Sequence, residues 1–166
     1  MTDKRMVVDD EVIDSGDIQA IIDPVWLSVD IYSDEETYRR SLSKFSKPQQ
    51  YVITMWWYMA EVNNGGHDQF YFNSTGIVWE DALYGFGKVG LGEIQQILKE
   101  SVDRFNCLPD KDRYKRQEQL DGLDFEDLDS RFYELQENMD IEAVLLTYIR
   151  NNRAEFYFDG MVKGLE

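Results

Sequence analysis

Leu91, Ile94, Leu98, Val102 and Phe105 recur at steps of three and four residues, and nearly every apolar stretch of this chain keeps that rhythm. Such spacing lines side chains along one stripe of an α-helix. No stretch shows a convincing alternation of period two, the mark of a half-buried strand. "AEFYFDG" at 154–160 is the single strand-like candidate, and it is short. With 166 residues the chain is long enough to bury a core of its own. The expected fold is all-α, one compact domain over residues 1–166 with about seven to nine helices.

The boundaries follow from caps and breakers. Asp23 before Pro24 predicts an N-cap and first-turn proline, opening a helix to about Tyr32. Ser33 and Glu36 fit a capping box, leading into a helix that carries Tyr38, Leu42 and Phe45. Pro48 starts the next, striped by Tyr51, Val52, Met55, Trp56 and Met59 and ended at Asn64–Gly65. A short helix from about Asp68 to Phe72 and another from about Ile77 to Phe86 precede the Leu91–Phe105 stripe, which Pro109 closes. Residues 110–120 read as a polar surface helix, and the last two helices run from about 124 to 138 and from 140 to about 156. Trp26, Trp56, Trp57 and Trp79 are core candidates, or one of them marks a subunit contact.

Charge is the second constraint. Thirty-three acids against 17 bases give a formal net charge of −16. That much self-repulsion opposes compaction, so the acids either serve solubility or face something positive. Direct nucleic-acid binding is disfavoured, since it depends on Lys and Arg neutralising phosphates. Cys107 is the only cysteine, which leaves no intramolecular disulfide and no cysteine-based zinc site. The first residues lack the apolar segment of a signal peptide, and no apolar run approaches a spanning helix of about 20 residues. A cytoplasmic protein with a basic partner is expected.

Residues 118–142 hold ten acids and one base, Arg131. Phe125, Leu128, Phe132, Leu135 and Met139 form one face of a helix there. At about 100° per residue, Glu126, Asp127, Asp129, Glu134, Glu137 and Asp140 fall on the other side, with Tyr133 among them. A merely solvated face accounts for such a helix too. However, eleven of the first 36 residues are also acidic, which favours a charged surface over scattered solubility. Carboxylates at every helical turn approximate the phosphate rows of DNA, one charge per about 3.4 Å on each strand. Asp30, Asp34, Glu35, Asp121, Asp124, Glu126, Asp127, Asp129, Tyr133, Glu134, Glu137, Asp140 and Glu142 are therefore the candidate partner-binding residues.

"EVNNGGHDQFYFNSTG" at 61–76 holds the only histidine, His67. Adjacent His67 and Asp68 point different ways on a helix and make no triad. A metal held by Glu61, His67 and Asp68 is conceivable by residue type but matches no spacing motif. "GFGKVG" at 85–90 lacks the phosphate-loop spacing. No catalytic residue, metal or cofactor is assigned. The stretch reads as a turn, with Phe70, Tyr71 and Phe72 driving into the core and His67 partly exposed.

Those residues also resemble the signature of a bacterial DNA-mimic family of small all-helical proteins. In it, a helix ending N-G-G is followed by Q-F-(F/Y)-x-N-(S/T). Asn64, Gly65, Gly66, Gln69, Phe70, Tyr71, Asn73 and Ser74 fit the pattern. The resemblance implies the fold. A member of that family is a very acidic homodimer without assigned catalysis, which binds a helix-turn-helix transcription factor and keeps it off its operator. The expected function is thus a non-enzymatic DNA mimic, a homodimer that competes with DNA for a basic regulator. The rivals are an acidic chaperone for basic proteins and a metal-dependent enzyme centred on Glu61, His67 and Asp68.

Overall fold

In the computed structural model, which describes residues 2–163, the helical rhythm becomes nine α-helices arranged around one of their number. They are α1 (Asp10–Asp14), α2 (Ile18–Ser28), α3 (Glu35–Leu42), α4 (Lys47–Phe72), α5 (Trp79–Val89), α6 (Gly92–Asp103), α7 (Arg113–Gln119), α8 (Glu126–Asn138) and α9 (Ile141–Asn151). Short 3-10 turns cover Ser74–Val78 and Arg153–Glu155. The expected all-helical domain is what forms.

The central element is α4, which packs on α2, α5, α7 and α8. Ser46 caps it: its hydroxyl accepts from the Gln49 N–H at 3.2 Å, and Gln49 Oε1 accepts from the Ser46 N–H at 2.9 Å. Pro48 sits in the first turn, as the sequence indicated. Val52, Ile53, Met55, Trp57, Tyr58 and Val62 are buried along it. The α6 stripe is buried at all five positions from Leu91 to Phe105.

Part of the chain's acidity serves the fold itself. Asp9, Asp17, Asp34, Asp112 and Asp140 each cap a helix by accepting a backbone N–H. Two of these correct the expected boundaries. Asp34, not Ser33, caps α3, with its carboxylate 2.7 Å from the Thr37 nitrogen. Asp17, not Asp23, opens α2, and Pro24 lies inside that helix. An interior proline costs about 3 kcal/mol, yet burying each isoleucine side chain contributes about 1.5–3 kcal/mol. Ile18, Ile21, Ile22 and Val25 are all buried on this helix, so packing decides the matter.

Two strands were not expected as such. Asp3–Val8 (β1) pairs antiparallel with Phe158–Lys163 (β2), in the register Asp3↔Lys163 to Val8↔Phe158. "AEFYFDG" only overlaps β2. The ribbon buries Val8 and Val162 and little else of its own length, so it carries too few apolar residues to show a period of two.

Candidate functional site

The site is best built from the break in α4. Gly65 and Gly66 leave the helical conformation there, and Gly66 has φ +75° and ψ −175°. Positive φ suits glycine. Helix ends leave carbonyls on one side and N–H groups on the other without intrahelical partners. Here α8 supplies partners on both sides. The Tyr133 hydroxyl donates to the Val62 carbonyl at 2.6 Å, before the break. The Asp129 carboxylate accepts from the His67 N–H at 2.8 Å, after it. One turn further along α8, the Gln136 and Asn63 side-chain amides bond reciprocally at 2.6 and 3.0 Å.

His67 corrects the expectation of a partly exposed turn residue: it is fully buried. Its Nδ1 lies 2.5 Å from Asp129 Oδ1, and its Nε2 lies 2.7 Å from the Tyr58 hydroxyl. A carboxylate only accepts, so Nδ1 carries a proton and Nε2 can accept from Tyr58. Burial pushes the Tyr58 phenol well up, which keeps it a donor. A methyl group on Gly66 would lie 2.4 Å from Asp129 Oδ2, so this glycine is required both by its backbone and by the carboxylate against it.

The remaining signature residues are knotted around Glu61. Its carboxylate accepts from Gln69 Nε2 at 2.7 Å, Asn73 Nδ2 at 3.2 Å and Thr75 Oγ1 at 3.0 Å. Gln69 folds back over Gly65 to reach it. Phe70 and Tyr71 are fully buried, and Ser74 is nearly so. Phe72 corrects the expectation of a core residue: it is about half exposed at 52 %. Asn64 is exposed. Glu61, His67 and Asp68 therefore do not converge as metal ligands, and no group of three or more ligand-type side chains is gathered among the described residues.

Sequence reasoning missed Arg116. The expected polar surface helix, α7, buries this side chain completely. Its guanidinium donates to the carbonyls of Tyr71 (2.7 Å), Asn73 (2.7 Å), Asp110 (2.8 Å) and Lys111 (3.2 Å). Loss of water on burial brings its pKa down to about 10. No apolar or spacing signal marks it out from the other bases of 111–116.

Around α8 the sequence-predicted acids separate into classes. Phe125, Leu128 and Phe132 are buried, with Leu135 and Met139 packed against them, as the stripe indicated. Asp127 sits on one flank, where Arg104 holds it through two bonds of 2.6 Å and brings its carboxyl down to about 2. Arg131 on the same flank pairs with Glu100 of α6. Asp129 sits on the other flank, against His67. Both acids were expected on the outward face; at about 100° per residue Asp129 lies roughly a quarter turn to one side of its centre and Asp127 somewhat less to the other. Glu126, Glu134 and Glu137 do point outward and are exposed. Tyr133 is 38 % exposed with its hydroxyl engaged.

The other candidates are distributed more widely. Asp140 caps α9 by accepting from the Ala143 N–H at 3.0 Å, and Glu142 follows in its first turn. Asp124 accepts from the Glu126 N–H at 2.9 Å, and Asp121 is exposed in the turn before it. Asp30 accepts from the Tyr32 and Ser33 N–H groups. Asp34 caps α3, whose first turn holds Glu35. Asp127 is the one candidate acid in an ion pair with Arg or Lys among the described residues. Asp68, named above only as a metal-ligand candidate, has its carboxyl raised by partial burial and then by Asp129 and Asp124.

A comparison with protein families matches the model of the DMP19-like protein over residues 43–152, about two-thirds of the chain. The chain belongs to the DMP19-like family. The matched region runs from the end of α3 to α9 and includes the Gly65–Gly66 break, its clamp by α8, and the Glu61 knot, so the resemblance read from 61–76 is borne out. No curated protein and no solved structure matches the chain. No helix among the described residues is long and apolar enough to cross a membrane.

Proposed function

We propose that this protein is a DNA mimic, whose outward carboxylates occupy the Lys and Arg groups of a DNA-binding protein and so keep it off DNA. One observation carries the reading: the flank acids of α8 are engaged within the molecule, whereas Glu126, Glu134, Glu137, Asp140 and Glu142 have no ion pair among the described residues. A helix whose flanks are fixed on α4 and α6 holds its outward charges in a set spacing, as a phosphate backbone does. Family membership supports the same reading, and it makes a helix-turn-helix regulator the favoured partner. A homodimer would double the charged surface and match the two-fold symmetry of such regulators.

The test is competition. Proteins captured by this chain at low salt are offered labelled DNA with and without it. The variant with Glu126, Glu134, Glu137 and Glu142 changed to Gln and Asp140 to Asn should keep its helical circular dichroism and lose the ability to displace DNA. Full displacement by that variant overturns the surface assignment. Captured proteins that bind the chain and DNA simultaneously overturn mimicry.

A further inference from the structure

We propose that the corner between α8 and α9 is a receptor for an arginine side chain presented by a protein partner. This rests on the mimic reading for the class of partner, a basic protein, and on separate geometry for the place. A slot of about 270 Å³ opens between α4 and the corner, with Trp56, Met59, Ala60 and Ile141 as its apolar walls. A second depression, of about 490 Å³, is lined by residues 136–142 and adds Glu137 and Asp140. Gln136, Ile141 and Glu142 line both, so the two are one trough with an apolar end and an acidic end.

The polar groups of the apolar end other than Glu142 are already hydrogen-bonded. Asn63 and Gln136 bond one another. The Trp56 indole N–H donates to Gln19 Oε1 at 2.9 Å, which leaves its ring as what it offers the slot. No Lys or Arg lines either part, and Glu137, Asp140 and Glu142 are exposed.

A matching occupant needs an aliphatic stem and a cationic head. Arginine has both. Its stem covers apolar surface, its guanidinium is favoured over an indole face, and it bonds carboxylates in a planar fork. Lysine is more strongly hydrated and less suited to the ring.

The probe is a short alanine peptide with spaced arginines, titrated into isotopically labelled protein at low salt and followed by NMR. Lysine and citrulline versions are run in parallel; citrulline keeps the stem and loses the charge. The Trp56 indole resonance and the Ile141 and Glu142 amides should shift with the arginine peptide. The citrulline peptide should bind about tenfold or more weakly, a difference of about 1.4 kcal/mol. Ala60→Arg, at an exposed helix position, fills the slot while leaving every carboxylate in place, and should abolish those shifts.

Shifts spread over the acids of α8 with Trp56 unmoved would overturn the receptor and leave the mimic reading intact. Loss of a dimer in Ala60→Arg by analytical ultracentrifugation would assign the trough to a second copy of the chain and also overturn it. Shifts seated in the trough, in a protein that displaces no DNA from its partners, would support the receptor and end the mimic reading.

Discussion

Arg116 is a buried cation in no ion pair among the described residues, held by four backbone carbonyls from the end of α4 and the segment before α7. Arg116→Met fills a similar volume and leaves those carbonyls without donors. The expected loss is about 3 kcal/mol or more, read from the urea denaturation midpoint. Gly66→Ala meets both an unfavourable φ and Asp129, and should cost at least about 2 kcal/mol in the same measurement. Asp68 has the opposite sign. Its folded pKa is raised, so the native state holds the proton more tightly than the unfolded chain, and stability falls as pH rises from about 3.8 through the raised value. Asp68→Asn should therefore raise the thermal midpoint at neutral pH, with the gain vanishing below about pH 4. The break at Gly65–Gly66 was legible locally as a helix end, whereas the roles of Arg116 and Asp68 were not. Arg116 stands in the run "DRYKRQEQL", where one base looks like the next. Its burial depends on where the end of α4 arrives, some forty-five positions earlier in the chain.

Elements were far more legible than their flanks. The apolar stripes of α4, α6 and α8 were readable because burial imposes the helical period directly on sequence. The roles of Asp127 and Asp129 were not, since they depend on α6 and α4 lying on either side of α8. That distinction predicts a separation of phenotypes. Asp129→Ala leaves the His67 N–H and ring without their acceptor and should cost about 1–3 kcal/mol of stability. Replacing Glu126 and Glu137 by Gln should leave the midpoint within about 0.5 kcal/mol, as surface changes usually do, while weakening the partner. The β1–β2 ribbon was illegible because it buries only one valine on each strand.

For the whole molecule, the net charge of −16 acts on folding and on association with opposite signs. Screening self-repulsion should raise the thermal midpoint as salt increases from about 10 mM to a few tenths molar. The same salt should weaken capture of a basic partner. Parallel melting and binding curves check both. A midpoint indifferent to salt would mean that the helix caps and internal ion pairs already balance the charge. Overall charge and the all-helical fold were plain from composition and rhythm. Which acids face outward was settled only by the packing.

Because Asp129 and Tyr133 fasten α8 across the glycine break, the architecture at that joint is indifferent to what residues 126, 134 and 137 carry. Those positions form an interchangeable faceplate on a fixed mounting. A descendant of this scaffold could trade its outward glutamates for glutamines, or for lysines, and present an altogether different surface while folding as before.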